Sequence, residues 1–312
     1  MPTRLHKYLT DLISKNLENY SKAEIQRNIE NYGVFVNGKL VFNRLEWVLE
    51  NSSVSLETWP KREKADFSGI EILFENKDVL VIFKPKNLVV QVGAGHIYDT
   101  LETWLKHKYP QQNCQLVHRL DKDTQGLLII AKNMQVKEFL QSQFKKRMVV
   151  KKYLALVQGL MTENYILKTY QTRDKLKILR QKMFWDEKTA LEYDDKSRLG
   201  ISIFKPIYIC EETGQTLVEI NLKTGRTHQI RLQAEAINHP LVDDKTYNQK
   251  QTFNNANPQK IKTISIAKNL TPAEFDEKIK TIFRNSSYCL LSNCLKIRLP
   301  NKIFLDIELF DF

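Results

Sequence analysis

The sequence is short of several features that would simplify its reading. Among 312 residues there are four cysteines, Cys114, Cys210, Cys289 and Cys294, with no C-x-x-C pair and no paired histidine spacing of the kind that holds zinc. They read as reduced thiols. No apolar run approaches the roughly 18 residues of a membrane-spanning helix. The opening Met1-Pro2-Thr3-Arg4-Leu5 lacks the apolar core of a signal peptide. No repeat of fixed period and no low-complexity tract is present. A cytoplasmic location, with no membrane partner, is therefore expected.

What is present is globular in character. Hydrophobic residues make up 42% and charged residues 27%, close to the soluble average. The length suits one large domain and one small one. The 48 Lys and Arg outnumber the 36 Asp and Glu, giving a net charge of +12 and a pI near 9.3, which favours a polyanionic partner such as nucleic acid. An AT-rich genome would enrich lysine, asparagine and isoleucine in the same way, so charge alone does not decide. Residues 1–64 carry only +2 of the total and the remainder +10.

Apolar positions at helical spacing run through residues 4–31, and Ser21-Lys22-Ala23-Glu24 is a capping-box pattern that starts a second helix near Lys22. Asn37-Gly38 between Val34-Phe35-Val36 and Leu40-Val41 predicts a hairpin, and Val54–Glu57 alternates like a strand. A module of this size, near the lower limit for independent stability, usually exists to bind. Residues 1–60 are read as that module, 61–68 as a charged linker, and 69–312 as one α+β domain. Its predicted strands are Ile70–Phe74, Val79–Phe83, Leu127–Ala131, Lys152–Val157 and Leu217–Leu222. Its predicted helices are Thr100–Tyr109 and the face Val136, Phe139, Leu140 and Phe144. The polar stretch 248–282 reads as a surface loop, with Thr271-Pro272-Ala273-Glu274 signalling a helix start.

Two polar clusters stand out. Val117-His118-Arg119-Leu120-Asp121-Lys122-Asp123-Thr124-Gln125-Gly126 precedes the buried strand at Leu127. Taken alone, such a string is a polar turn. Lys223-Thr224-Gly225-Arg226-Thr227-His228-Gln229-Ile230-Arg231 follows an alternating strand and is placed to open a helix, where its cations suit phosphate or carboxylate contact.

With Lys151-Lys152-Tyr153-Leu154-Ala155-Leu156-Val157-Gln158-Gly159 between them, these clusters resemble the motifs of the RluA-type family of pseudouridine synthases, in order and in spacing. The resemblance runs from Ile70 to about Tyr247. It includes Lys84-Pro85 and Val92-Gly93-Ala94-Gly95-His96, and residues 1–60 resemble the small alpha-L RNA-binding fold. It implies a mixed, mainly antiparallel catalytic sheet with flanking helices, and a small N-terminal α/β RNA-binding domain. The implied reaction isomerises uridine to pseudouridine in RNA without cofactor or metal, in a monomer acting on large-subunit (23S) ribosomal RNA. Transfer RNA as substrate, or a non-catalytic role in ribosome assembly, are the alternatives.

Site roles follow from the same resemblance. Asp121 is the essential carboxylate, Tyr153 stacks on the target base, and Arg231 pairs with the aspartate. Arg119 enters the RNA where the uridine leaves. His118, Arg226, His228, Lys151 and Lys152 are RNA contacts. Breaking the glycosidic C–N bond and joining the sugar to uracil C5 involves no redox change, and a carboxylate can serve as nucleophile or as base. In a water-poor pocket it needs a fixed cation, and a guanidinium grips it in a planar fork. Flipping the base out costs a few kcal/mol, against which aromatic stacking returns roughly 1–3 kcal/mol. The chain departs from the family pattern at Gln125, where a small hydroxyl residue is usual, and at Leu290–Leu295.

Overall fold

The computed structural model describes residues 2–16, 22–58, 67–92, 99–175, 181–247, 259–264, 267–284, 286, 289–300 and 302–311. Ser21, residues 61–66 and Gly93–His96, all singled out above, lie outside them. The chain divides into two units, Met1–Lys64 and Ala65–Phe312.

In the small unit β1 (Thr3–Arg4) runs into α1 (Leu5–Asn16), followed by α2 (Lys22–Tyr32), β2 (Val34–Val36), β3 (Lys39–Val41), β4 (Trp47–Val48) and β5 (Val54–Ser55). Leu5 and Leu9 on α1, and Ile25 and Ile29 on α2, are four apart, so each helix offers one apolar face; Val34 and Val48 close the core between them. Asn37 and Gly38 both have left-handed backbone, at φ 49° and 80°, which is what a two-residue turn between twisted antiparallel strands requires. β5 pairs with the outer side of this hairpin, antiparallel to β2.

The large unit runs β6 (Glu71–Glu75), β7 (Val79–Lys84), α3 (Leu101–Lys108), β8 (Gln115–Leu116), β9 (Gln125–Ala131), α4 (Met134–Lys145), β10 (Val150–Gln158), β11 (Glu163–Arg173) and β12 (Gln181–Phe184). It continues through α5 (Glu187–Tyr193), β13 (Arg198–Cys210), β14 (Gln215–Leu222), α6 (Gln229–Ala236), β15 (Gln259–Ile264), β16 (Lys268–Asn269), α7 (Pro272–Phe283), β17 (Leu290–Arg298) and β18 (Phe304–Glu308). The sheet order is β12-β11-β13-β14-β10-β17-β9-β7-β6. Pairing is antiparallel except for β17 with β9 and β13 with β16, so the fold is α+β on a mixed, mainly antiparallel sheet.

β9 is buried over its whole length, which explains its unbroken apolar run: both its faces are covered. Gly126 at its start has φ 109°, and a Cβ there would stand 2.3 Å from the carbonyl oxygen of Ser292 on β17. The parallel pairing of β9 with β17 therefore depends on glycine at this point. Leu290–Leu295, a weak match to the family pattern, forms the central strand between β10 and β9.

Two expectations need correction. Phe139 is 37% exposed, because α4 turns Val136, Leu140 and Gln143 inward and leaves Phe139 at the margin. The stretch 248–282 is not a loop where it is described. Residues 259–264 pair with β11, Lys268–Asn269 pair with β13, and α7 is capped by Thr271 and Glu274 acting on each other's backbone N–H. No helix among the described residues is long and apolar enough to cross a membrane.

Candidate active site

The Asp121 loop, between β8 and β9, is fastened from three sides. A turn closes from Thr124 N–H to the Asp121 carbonyl at 3.2 Å. His118 Nε2 accepts the Ile129 N–H at 3.2 Å and its ring stacks on Phe144. Lys84, fully buried at the end of β7, donates to the carbonyls of Pro85, Leu88 and Lys122 at 2.7, 2.9 and 3.0 Å. Burial pulls the Lys84 ammonium down to about 7, partly offset by Asp123 and Asp121. His118 is pushed by burial, and by Lys151, to about 3. Both effects favour the neutral ring, in keeping with Nε2 accepting from Ile129.

β10 crosses next to this loop. Strand alternation turns Lys151 and Tyr153 into one cavity and Lys152 away from it. Lys152 instead bridges Glu219 at 3.2 Å and Glu308 at 3.3 Å and does not line this cavity. Tyr153 is 7% exposed. Burial raises its phenol, Asp121 pushes the same way, and a hydrogen bond with Ser292 opposes both. Gln125, the residue unusual for the family, is buried on β9 and donates to the Phe283 carbonyl at 3.1 Å, away from the Asp121 carboxylate.

The cavity has a volume of about 660 Å³. Among the described residues, Arg119, Lys145, Arg147, Lys151, Lys223 and Arg226 bring six cations to its lining, and Asp121 is the one carboxylate. Crowding of like charge is visible in the ionisation of the group. Lys151 falls to about 8, through burial first and Arg226 second. Arg226 is lowered by burial and by Arg147 and Arg198. An incoming phosphate relieves this repulsion, so the cavity is poised for a polyanion.

The second cluster forms the turn from β14 into α6. Gln229, buried, organises it by accepting from Thr224 Oγ1 at 2.8 Å and Arg226 N–H at 3.0 Å, and by donating to the Ile201 carbonyl at 3.1 Å. Arg226 Nε donates to the Leu199 carbonyl at 2.9 Å. His228, at φ 58°, makes a 2.8 Å hydrogen bond with Tyr247 through Nδ1. Burial lowers its ionisation, while Asp121, Arg231 and Asp244 all lie near enough to shift it.

Arg231, expected as the partner of Asp121, closes its fork on Asp244. Nε lies 2.6 Å from Oδ2 and one terminal nitrogen 2.8 Å from Oδ1, with the guanidinium 4.8 Å from the Tyr247 ring centre. The N–H groups of Thr246 and Tyr247 also donate to Asp244 Oδ1, at 2.9 and 3.0 Å. That makes Asp244 a rigid, buried acceptor, whereas Asp121 sits half-exposed on a loop.

Asp121, Tyr153, Arg119, His118, Lys151 and Arg226 thus share one cavity, and Arg231 and His228 stand beside it. Lys84, Gln229 and Asp244 were missed as organisers. A lysine ending the buried run Val79–Phe83 just before a proline was a legible signal for the first; the other two had none beyond their motifs.

Among the described residues the site is a cleft of six cations and a single carboxylate, at the mouth of a buried strand in a mainly antiparallel sheet, and its charge suits a polyanion. Residues 78–236 match the family described as RNA pseudouridylate synthase. The chain is 35% identical over 252 residues to the ribosomal large subunit pseudouridine synthase D of Blochmanniella floridana, covering 76% of this chain and 74% of that one. To the protein of that name from Salmonella typhimurium (strain LT2) it is 31% identical over 252 residues, covering 78% and 73%. In fold it is similar to human RNA pseudouridylate synthase domain containing 1, with a TM-score of 0.55 and 21% identity over 80% of this chain and 86% of that one. The chain belongs to the RluA-type family of RNA pseudouridine synthases and is an enzyme of that class.

Proposed function

We propose that this enzyme isomerises uridines in large-subunit (23S) ribosomal RNA, with Asp121 as the catalytic carboxylate acting on a uridine flipped out of the RNA. The observation that carries the reading is the placement of Asp121 and buried Tyr153 in one cavity ringed by six cations. Support for the substrate comes from the relatives, which are named as ribosomal large subunit pseudouridine synthases.

In this reading Lys151 and Arg226 hold phosphates on either side of the target, and Arg119, exposed at the rim, fills the vacated stack. The uracil lies against Tyr153. Asp121 attacks the sugar carbon or removes a proton from the sugar; the C–N bond breaks, the uracil turns, and its C5 takes the place of N1 on the same carbon. As that bond forms the carboxylate is displaced, or the sugar proton is returned; C5 gives up its hydrogen as a proton and N1 takes one up, so the overall composition is unchanged and no cofactor is consumed. Arg231, held by Asp244, keeps a permanent positive charge beside the site. The enzyme acts as a monomer in the cytoplasm, and residues 1–60, as an alpha-L-type domain joined by the 61–68 linker, select RNA by shape.

The test is to incubate wild type and Asp121→Asn with unmodified large-subunit ribosomal RNA and map pseudouridine by carbodiimide-dependent reverse-transcription stops. Stops are expected from wild type only, with RNA affinity retained in the variant. Full activity in Asp121→Asn would remove Asp121 from the chemistry. Stops only on transfer RNA would move the substrate, and silence on both RNAs would overturn the reading.

A further inference from the structure

Beside the catalytic cavity lies a second one of about 430 Å³, and the two share Val117, His118 and Arg119 as a common wall. Their linings differ in kind. Among the described residues the first is lined by six cations and one carboxylate; the second carries Glu102, Lys106, Arg119 and Lys137 and, beside them, five carboxamides, from Gln91, Gln112, Asn113, Gln115 and Gln141. These converge from three separate places: the segment after β7, the approach to β8, and α4. Gln115 is fixed in place, accepting from Lys137 Nζ at 3.1 Å and donating to Asn113 Oδ1 at 2.5 Å. The side-chain amides of Gln91, Gln112 and Gln141 are exposed and have no hydrogen-bond partner among the described residues.

The chemistry of the two linings suits different parts of a nucleotide. Lysine and arginine hold phosphates whatever the sequence, whereas a carboxamide sets donor and acceptor side by side, the arrangement found along the edge of a nucleobase. Leu105, Leu116 and Val117 add an apolar surface for the face of a flat ring. A volume of this order suits one small ligand.

We propose that this second cavity is a subsite for a nucleotide flanking the target uridine, whose base is read by Gln91, Gln112 and Gln141. Arg119 stands on the wall between the two nucleotides. The proposal rests on the reading of the Asp121 cavity as the place of isomerisation, because the shared wall is what makes the second nucleotide a neighbour of the first.

The experiment uses the full-length enzyme and RNA oligonucleotides spanning a site that it modifies. Each flanking base is replaced in turn by an abasic residue, and KM and kcat are measured for wild type and for Gln91→Leu/Gln141→Leu. At one flanking position, loss of the base should raise the wild-type KM about tenfold with kcat held, equivalent to about 1.4 kcal/mol. The same abasic RNA should raise the KM of the variant clearly less, since two of the three readers are gone. Equal tolerance of abasic flanks by wild type, or an equal penalty in both proteins, would overturn the subsite. Failure of wild type to isomerise the intact oligonucleotide and ribosomal RNA would instead overturn the functional reading beneath it.

Discussion

Arg231 and Asp244 form a buried, two-pronged ion pair beside the candidate site, at 2.6 and 2.8 Å, with the carboxylate fully enclosed. Breaking such a pair by removing one charge strands the other in a low-dielectric setting and costs about 3–5 kcal/mol. Asp244→Asn is therefore expected to lower the free energy of unfolding measured in urea by that amount at pH 7. Burial pushes the Asp244 carboxyl up, but Arg231 and two backbone N–H groups hold it below the usual carboxylate range. Its contribution to stability is thus present above the unfolded value of about 4 and lost as pH falls through the lower folded value. The gap between wild type and variant should close on acidification below about pH 4.

Lys84→Met should detach the Asp121 loop. It leaves three carbonyls without their shared donor, and the buried one, of Leu88, costs about 1–3 kcal/mol when no water replaces it. A fall in kcat with RNA affinity preserved would mark Lys84 as a positioning residue, since its bond is to the Lys122 carbonyl next to Asp121. Burial sets Lys84 near 7, below an exposed lysine, so the unfolded chain binds more protons between about pH 7 and 10 and wild-type stability should gain up to about 1.4 kcal/mol per pH unit there. Unfolding at three pH values should show that slope in wild type and lose it in Lys84→Met.

Gly126→Ala should fail severely. The left-handed φ of 109° is disfavoured for any L side chain, and the added methyl would meet backbone at 2.3 Å, where no rotamer relieves it. A loss of more than about 3 kcal/mol, or insoluble protein, is expected from a change of this class. Soluble protein with an unchanged melting temperature would contradict the β9–β17 register.

Lys151 and Lys152 separate the two faces of β10. Each phosphate contact removed should reduce the salt dependence of RNA binding by about one unit of log K against log salt. Lys151→Ala is expected to do so, while Lys152→Ala, whose ammonium is committed to Glu219 and Glu308, leaves the slope unchanged. Because Lys151 loses its proton near 8 in the free enzyme, wild-type affinity should decline between pH 7 and 9 more than that of Lys151→Ala.

Much of this protein follows from local rules that act within a few residues, and those were legible in the sequence. The Asn37-Gly38 turn needs left-handed backbone that few residues accept, the Thr271–Glu274 box closes on its own backbone, and the short unbroken apolar run before Ala131 fits a strand covered on both faces. The motifs around Asp121, Tyr153 and Arg231 carried the family because their residue types are constrained by chemistry. What only the tertiary structure decided is pairing across long stretches of chain. Lys84 reaches the carbonyl of Lys122, Gln229 folds back onto Ile201, and Arg231 meets Asp244 and not Asp121 as expected. Sequence alone set which groups would be charged; which of them would be buried together depended on sheet order and strand alternation. Those arise from the cooperative packing of the whole unit, where one residue's rotation along β10 sends Lys151 to the cationic cavity and Lys152 to a pair of glutamates.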